Sequence, residues 1–464
     1  MHTKSAIVIE RLEDRALFSV GVYEGLPTAM KSDAGFSPLF NGANLTGFYT
    51  YIDGKGVNND PQHYFKAENG MLHIMGIPNT GQTTSNGYLA TTRTYSNYRL
   101  RFEYKWGTNR FAPAASAPRD SGVLLDLQGG DRIWPQSLEV NIKENATGEM
   151  WMLPNAPITS ISGDTQVVST TSTPKVYKAG GAAYHASTGR IARNGLMSDR
   201  LTDWNTVDVI VEGSSAIVML NGTVVNRITG MKTPSGGTLS SGKIAFQASS
   251  AEIWYRNIKI KPTVSAAPPT GAIHLFDSTN STAQWVKRNG GGAIAWPGAA
   301  GQLTVAPGTG DIKTKTTFKN FKLHVEFNVP VKADSATEQD RGNSGIGLLG
   351  SYEVQVLDSY QRTLSGKNDL GAIYGIKDAS LNAALPAGAW QSYDITFTAP
   401  KWSGTKKIAD AHATVYLNGF LIQNNVDIPT STFTFDPENP AGGPIILQDH
   451  ANQVRFRNIW IVKQ

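Results

Sequence analysis

The same five sequence blocks occur twice, in the same order, along this 464-residue chain, and that repeat limits the fold more than any other feature. SPLFNGANLTGF, around Phe40, is answered by HLFDSTNSTAQW, around Phe276. SNYRLRFEYKW (96–106) is answered by KNFKLHVEFNV (319–329), and RDSGVLL with SLEVNI is answered by GNSGIGLL with SYEVQV. DWNTVDVIVEG with VMLNGTVVN matches AWQSYDITFTA with VYLNGFLIQ, and GKIAFQASSAEIWYRNIKIKP matches GPIILQDHANQVRFRNIWIVKQ. Collinear matches of this kind place two homologous domains at 36–262 and 273–464. They are joined by a linker at 263–272, in the Pro-, Ala- and Thr-rich run PTVSAAPPTG.

Inside the blocks the period is that of strands. Tyr98 to Tyr104 and Phe321 to Phe327 alternate apolar with polar residues, which predicts half-buried strands with one face in solvent. Asn221-Gly222 and Asn418-Gly419 lie between apolar runs, and Asn-Gly favours the positive φ angles of a type I′ hairpin turn. The 47 Gly and 23 Pro also favour many turns and short strands. Two domains of about 200 residues without a long helical period are therefore expected to be all-β, as antiparallel jelly-roll sandwiches. The net charge of +5 is dispersed, which argues against nucleic acid as a partner, and no apolar run is long enough for a membrane span. With no cysteine, disulfides and thiolate chemistry are excluded.

The second copy carries the denser polar constellation. Tyr352 to Asp358 alternates so that Glu353 and Gln355 share one strand face, while Val354 and Val356 take the other. Upstream, Arg341 and Asn343 precede Gly345, which permits close backbone approach. Downstream lie Asp358 and the phenol of Tyr374, and the last block adds Gln448, Asp449 and His450, then Arg455 and Arg457 in alternation. Taken singly, Glu353 reads as a solvated strand residue and His450 as a turn cap. Arg457-Asn458 recurs as Arg256-Asn257, which favours a shared structural role such as a salt bridge. What points to a site is the convergence of carboxylate, imidazole, amides and guanidinium groups in blocks that a sandwich gathers on one concave face.

GNSGIGLLGSYEVQVLDSY, LGAIYGI, VYLNGFLI and GPIILQDHANQVRFRNIWI together resemble the bacterial 3-keto-disaccharide hydrolase domain, also described as a 3-keto-α-glucoside 1,2-lyase/3-keto-2-hydroxyglucal hydratase. LFNGANLTGF and WPQSLEVNIKENATGEMWML are similar to another variant of that family. The resemblance spans nearly the whole chain beyond the first 35 residues and the linker. It implies two tandem concanavalin A-like jelly rolls and a glycoside or oligosaccharide substrate. It also implies net hydrolysis of 3-keto-glycosides by elimination of the aglycone and hydration of the 2-hydroxyglucal. Such chemistry needs a base, an acid near the leaving oxygen and a positive group at the enolate oxygen. On this implication Glu353 and His450 are the acid–base candidates, in either order. Asp449 orients His450 or binds sugar, Arg341 faces the enolate oxygen, and Asn343, Gln355, Asp358, Tyr374, Gln448 and Arg455 bind substrate. A divalent cation would do similar work to Arg341, but the irregular ligand spacing assigns no metal and no certain cofactor. A glycan-binding protein without catalysis and a conventional glycosidase are the competing readings.

The first copy keeps the strands but replaces Asp449, His450 and Arg455 by Ala248, Ser249 and Trp254. Its candidates are Glu139, Asn141, Arg119 and Trp134, the last on an insertion, DLQGGDRIWP, expected to reach over the same face. Catalysis is therefore expected in residues 273–464, with the first domain either a variant relying on Glu139 or a carbohydrate-binding module. Residues 1–35 read as an export-type or disordered segment. IERLEDRALFSV resembles the N-terminal segment of many large exported bacterial proteins, which implies an extracellular or cell-envelope location.

Overall fold

The computed structural model describes residues 32–464 apart from 79–80, 155–157, 162–174, 182, 187–188, 264, 334–335 and 433–434. The export reading of the N-terminal segment falls almost wholly outside the described residues.

Each copy folds as two sheets packed face to face. In the first copy the back sheet runs in the order Thr223–Ile228, Ser215–Leu220, Asn205–Glu212, Tyr98–Arg110, Ala251–Pro262, Met71–Ile74, Phe65–Glu68. The front sheet is built around Met150–Leu153, Gln136–Lys143, Asp120–Gln128, Lys243–Ala248, Gly87–Thr91 and Phe48–Ile52, in that order. In the second copy the back sheet centres on Arg455–Lys463, Phe321–Asn328, Gln391–Thr398 and Ala411–Leu417. Its front sheet has five strands, Trp285–Lys287, Ile312–Thr314, Ile446–Leu447, Ser344–Leu348 and Tyr352–Val356. Sequence neighbours are repeatedly separated in the sheets, as in a jelly roll, and the fold is all-β. Helical structure among the described residues is limited to a 3-10 turn at Glu338–Asp340, and no helix there is long and apolar enough to cross a membrane.

Alternation builds each core: Leu100, Phe102 and Tyr104 meet Val123, Val140 and Phe246 in the first sandwich, and Leu323, Val325 and Phe327 meet Ile346, Val354 and Leu447 in the second. Both Asn-Gly pairs take positive φ, 48° and 84° at Asn221 and Gly222, 54° and 83° at Asn418 and Gly419, closing the expected hairpins.

The expected solvent face of two strands is not solvent. Arg99 and Arg101 are 4% and 3% exposed, and both guanidinium groups donate through Nε to Asp208 Oδ1 at 2.9 Å. His324 and Glu326 are likewise buried. The cause is tertiary: polar alternation marks the face opposite the core, but here Phe36 and Tyr360 cover Arg99 and Arg101, while Trp460 stacks on His324 and Ser265 and Arg457 bind Glu326. At the seam Ile210, Ile217 and Met219 of the first back sheet pack on Ala389, Leu385 and Tyr360 of the second domain. The Tyr360 hydroxyl donates to the Gly222 carbonyl at 2.6 Å, and the Trp390 amide donates to Glu212 at 3.3 Å.

The repeated Arg-Asn ending has a shared structural use. Arg256 Nε donates to Glu103 at 2.6 Å and Arg457 Nε to Glu326 at 2.6 Å. Each guanidinium also lies over a tryptophan from the matching block, Trp204 at 3.9 Å and Trp390 at 4.1 Å. The following Asn257 and Asn458 take φ of 52° and 47° where the strand register shifts, the left-handed conformation that asparagine tolerates better than most side chains.

Candidate functional site

Strand parity puts Glu139 and Asn141 on the outer face of the first front sheet, away from Leu138, Val140 and Ile142 in the core. Gln247 lies two strands over, on the far side of Gly122, and its Nε2 donates to Glu139 Oε1 at 3.0 Å. A methyl group at Gly122 would sit 2.6 Å from Glu139 Oε1 and 2.8 Å from Gln247 Oε1, so the carboxyl and amide lie over bare backbone that only glycine provides. The second copy repeats the arrangement: a methyl at Gly345 would sit 2.2 Å from Glu353 Oε1. The preceding serines bind alike, Ser121 Oγ donating to the Gln247 carbonyl at 2.9 Å and Ser344 Oγ to the Gln448 carbonyl at 2.8 Å.

The two faces differ in access. Glu139 is half-buried, and burial, then the charge of Asp120, pushes its carboxyl up to about 8 against the opposing Gln247 hydrogen bond and Lys143. Asp120 is itself raised by burial, with the Lys143 ammonium 3.0 Å away pulling the other way. Trp151 lies opposite Glu139 in register on the next strand, under the Arg190 guanidinium at 4.4 Å. Arg190 also binds Glu149 at 2.8 Å, while its Nε is buried without a partner. Further along the face, residues 129–135 form a strap. Asp131 accepts hydrogen bonds from the Tyr49 and Tyr88 hydroxyls at 2.8 and 2.7 Å, and Ile133 and Trp134 pack on Tyr88, Ala90, Leu124 and Ala245. The insertion thus does bring Trp134 over this face, while Arg132 is exposed.

In the second copy Glu353 is 1% exposed and Gln355 fully buried. Gln355 Nε2 donates to the Asn368 carbonyl at 3.1 Å, Asn343 Nδ2 donates to the Gln339 carbonyl at 2.9 Å, and the Tyr374 amide donates to the Glu353 carbonyl at 3.0 Å. Residues 339 and 368 therefore meet side chains of this face, while 371–374 run beside its edge strand. Burial, then the Glu353 charge, raises the Tyr374 phenol. Asn343 Oδ1, Gln448 Oε1 and Arg341 Nη1 are buried with no hydrogen-bond partner, as groups that meet a water or a polar ligand would be.

Several residues nominated from sequence lie elsewhere. His450 is exposed, with only its carbonyl engaged, by Asn452 Nδ2 at 2.8 Å. Asp449 staples loops, accepting from the Gly310 and Ala451 amides at 2.9 and 3.0 Å. Arg341 donates through Nε to the Asp358 carbonyl at 3.1 Å, and Asp358 itself lines the seam between domains. Arg455 is on the outer face of the back sheet, bound to Asn328 at 2.8 Å and Gln302 at 3.1 Å, across the sandwich from Glu353. Arg119 is held by Glu144 and the Gly107 carbonyl. Gln247, Asp120, Trp151 and Arg190 were not nominated. The signal for Trp151 was present, since ENATG is a turn that folds MWML back beside SLEVNIK. Among the described residues no trio of His, Asp and Glu is arranged to hold a metal ion.

The outer face of this jelly-roll sheet thus gathers a glutamate, amides and an arginine-capped tryptophan. The chain belongs to the 3-keto-alpha-glucoside-1,2-lyase-like domain family, whose sequence model matches residues 35–261 and again 271–462. No curated protein matches it. Among solved structures it is similar to a Parabacteroides distasonis protein provisionally classed as a glycosyl hydrolase, at 34% identity over 43% of this chain and 94% of that one, with a TM-score of 0.39. A second such protein from that organism matches at 18% identity over 49% of this chain and 93% of that one, with a TM-score of 0.31. A carbohydrate-binding module from Bacillus subtilis matches at 6% identity over 49% and 95%, with a TM-score of 0.26.

Proposed function

We propose that this protein cleaves 3-keto-glycosides by elimination and hydration, and that the first sandwich does the chemistry. The observation that carries the reading is the half-buried Glu139 carboxyl, held by Gln247 over Gly122 on the outer face of the front sheet. Catalysis was expected in the second copy, but an enclosed Glu353 and a solvent-facing His450 favour the other one.

A ketone at sugar carbon 3 acidifies the hydrogen on carbon 2. A base takes that proton, the electron pair forms the double bond between carbons 1 and 2, and the aglycone leaves carbon 1 with its bonding electrons and takes a proton from an acid. Glu139, neutral at pH 7 with its pKa near 8, suits the acid. Asp120 suits the base, and Lys143 and Arg190 supply positive charge for the enolate oxygen. Once ionised, Glu139 can take a proton from the water that adds to carbon 1, carbon 2 is reprotonated, and the sum is hydrolysis. The second sandwich, with its face closed, supports the first as a scaffold. An extracellular or cell-envelope location goes with this reading and is checked by cell fractionation.

The test is turnover of a 3-keto-disaccharide and of its unoxidised parent in heavy water. Deuterium at carbon 2 of the released sugar with no turnover of the parent is expected; turnover of the parent would replace elimination by conventional hydrolysis. Glu139→Gln is expected to lower the rate at least about a hundredfold and Glu353→Gln less than about tenfold. The reverse order would return catalysis to the second copy.

A further inference from the structure

The seam between the sandwiches forms a half-open cavity of about 140 Å³ to which both contribute, and none of the glutamate-face residues lines it. A cavity of about 150 Å³ is known to admit a six-membered ring. The space does not come from loose docking. Beside its lining residues the two domains touch closely: a methyl at Gly180 would lie 2.2 Å from the Ala333 backbone nitrogen, and one at Gly388 would lie 2.3 Å from the Arg227 guanidinium.

The lining has the mixed character of a sugar site. Val224 from the first domain and Pro386 from the second give apolar walls. Asp358 and Gln361 offer acceptors for hydroxyl groups, and Lys332 and Arg362 outnumber the single carboxylate, so the cavity is net positive. Leu196, also in the lining, is 64% exposed, an apolar side chain left at the solvent edge. A neutral sugar would use the acceptors and leave one positive charge in excess of Asp358. A ring carrying one carboxylate balances it.

We infer that this seam binds a single sugar acid, its ring between Val224 and Pro386, its hydroxyls on Asp358 and Gln361 and its carboxylate on Lys332 and Arg362. Because the walls come from both domains, the ligand ties them together. The site needs neither Glu139 nor the elimination chemistry.

Isothermal titration calorimetry of the full chain with glucuronate, glucose and acetate tests this. One glucuronate per chain is expected, with glucose and acetate each at least tenfold weaker. Arg362→Ala is expected to weaken glucuronate at least tenfold without changing the unliganded melting temperature, Arg362 being exposed. Equal binding of glucose, or glucuronate affinity unchanged in a Lys332→Ala/Arg362→Ala double variant, overturns the proposal, as does absence of binding. Glu139→Gln separates the two sites: retained glucuronate affinity supports the seam, and lost affinity moves the acid to the first-domain face and overturns it.

Discussion

Glu139 shows how much a single environment can do to a carboxyl. Its glycine floor recurs under Glu353, yet Glu139 is half-buried where Glu353 is 1% exposed. Because its pKa rises from 4.5 to about 8, the folded protein holds a proton that the unfolded chain has already lost within that range. Stability from this group is therefore full below about pH 4.5 and is lost as pH climbs through about 8. Glutamine stays neutral throughout, so the stability of wild type minus that of Glu139→Gln, from urea unfolding at pH 5, 7 and 9, is expected to fall with pH. A flat difference would mean an ordinary carboxyl. Alternation in the sequence paired Glu139 with Asn141 and Glu353 with Gln355 correctly on shared faces. It could not say which sheet face a pair occupies, and so Arg455 was grouped with residues on the other side of its sandwich. Asp449 and His450 follow the last paired residues of a short strand, where no periodicity fixes a side chain's direction.

At the level of elements, the hairpins and long strands were legible because Asn-Gly turns and period-two runs act locally. The 129–135 strap was legible in place but not in how it is held, because an insertion absent from the other copy has neither a period nor a twin. Its hold is readable only in the structure: one exposed aspartate receiving two phenol hydroxyls, with Ile133 and Trp134 below. Asp131→Ala is expected to cost about 1 kcal/mol in chemical denaturation. It should also speed proteolytic cleavage within 129–135, whereas Tyr49→Phe, which leaves the Tyr88 bond, should do less. Unchanged cleavage would show that the apolar contacts alone hold the strap.

The seam belongs to the whole molecule, and no feature of either copy read by itself announces it. Met219 is fully buried there, while Tyr416, its counterpart in the repeated VMLNG and VYLNG blocks, is 40% exposed. Met219→Asp is expected to separate the sandwiches and enlarge the radius of gyration in small-angle scattering, with a loss of several kcal/mol from an unpaired buried charge. Tyr416→Asp should stay within about 0.5 kcal/mol of wild type, as surface changes do. The same comparison shows the seam to be asymmetric. Copy one presents Ile210, Ile217 and Met219, copy two answers with Tyr360, Leu385 and Ala389, and the face of copy two that matches Ile210, Ile217 and Met219 carries Thr396, Thr414 and Tyr416. A head-to-tail contact of this kind has no built-in end, and repeated along a chain or between chains it grows into rings or filaments. Here the contact is made once: the acceptor of copy two is covered by copy one, and the matching surface of copy two is hydroxylated where that of copy one is aliphatic, so the chain presents no second aliphatic face of this kind.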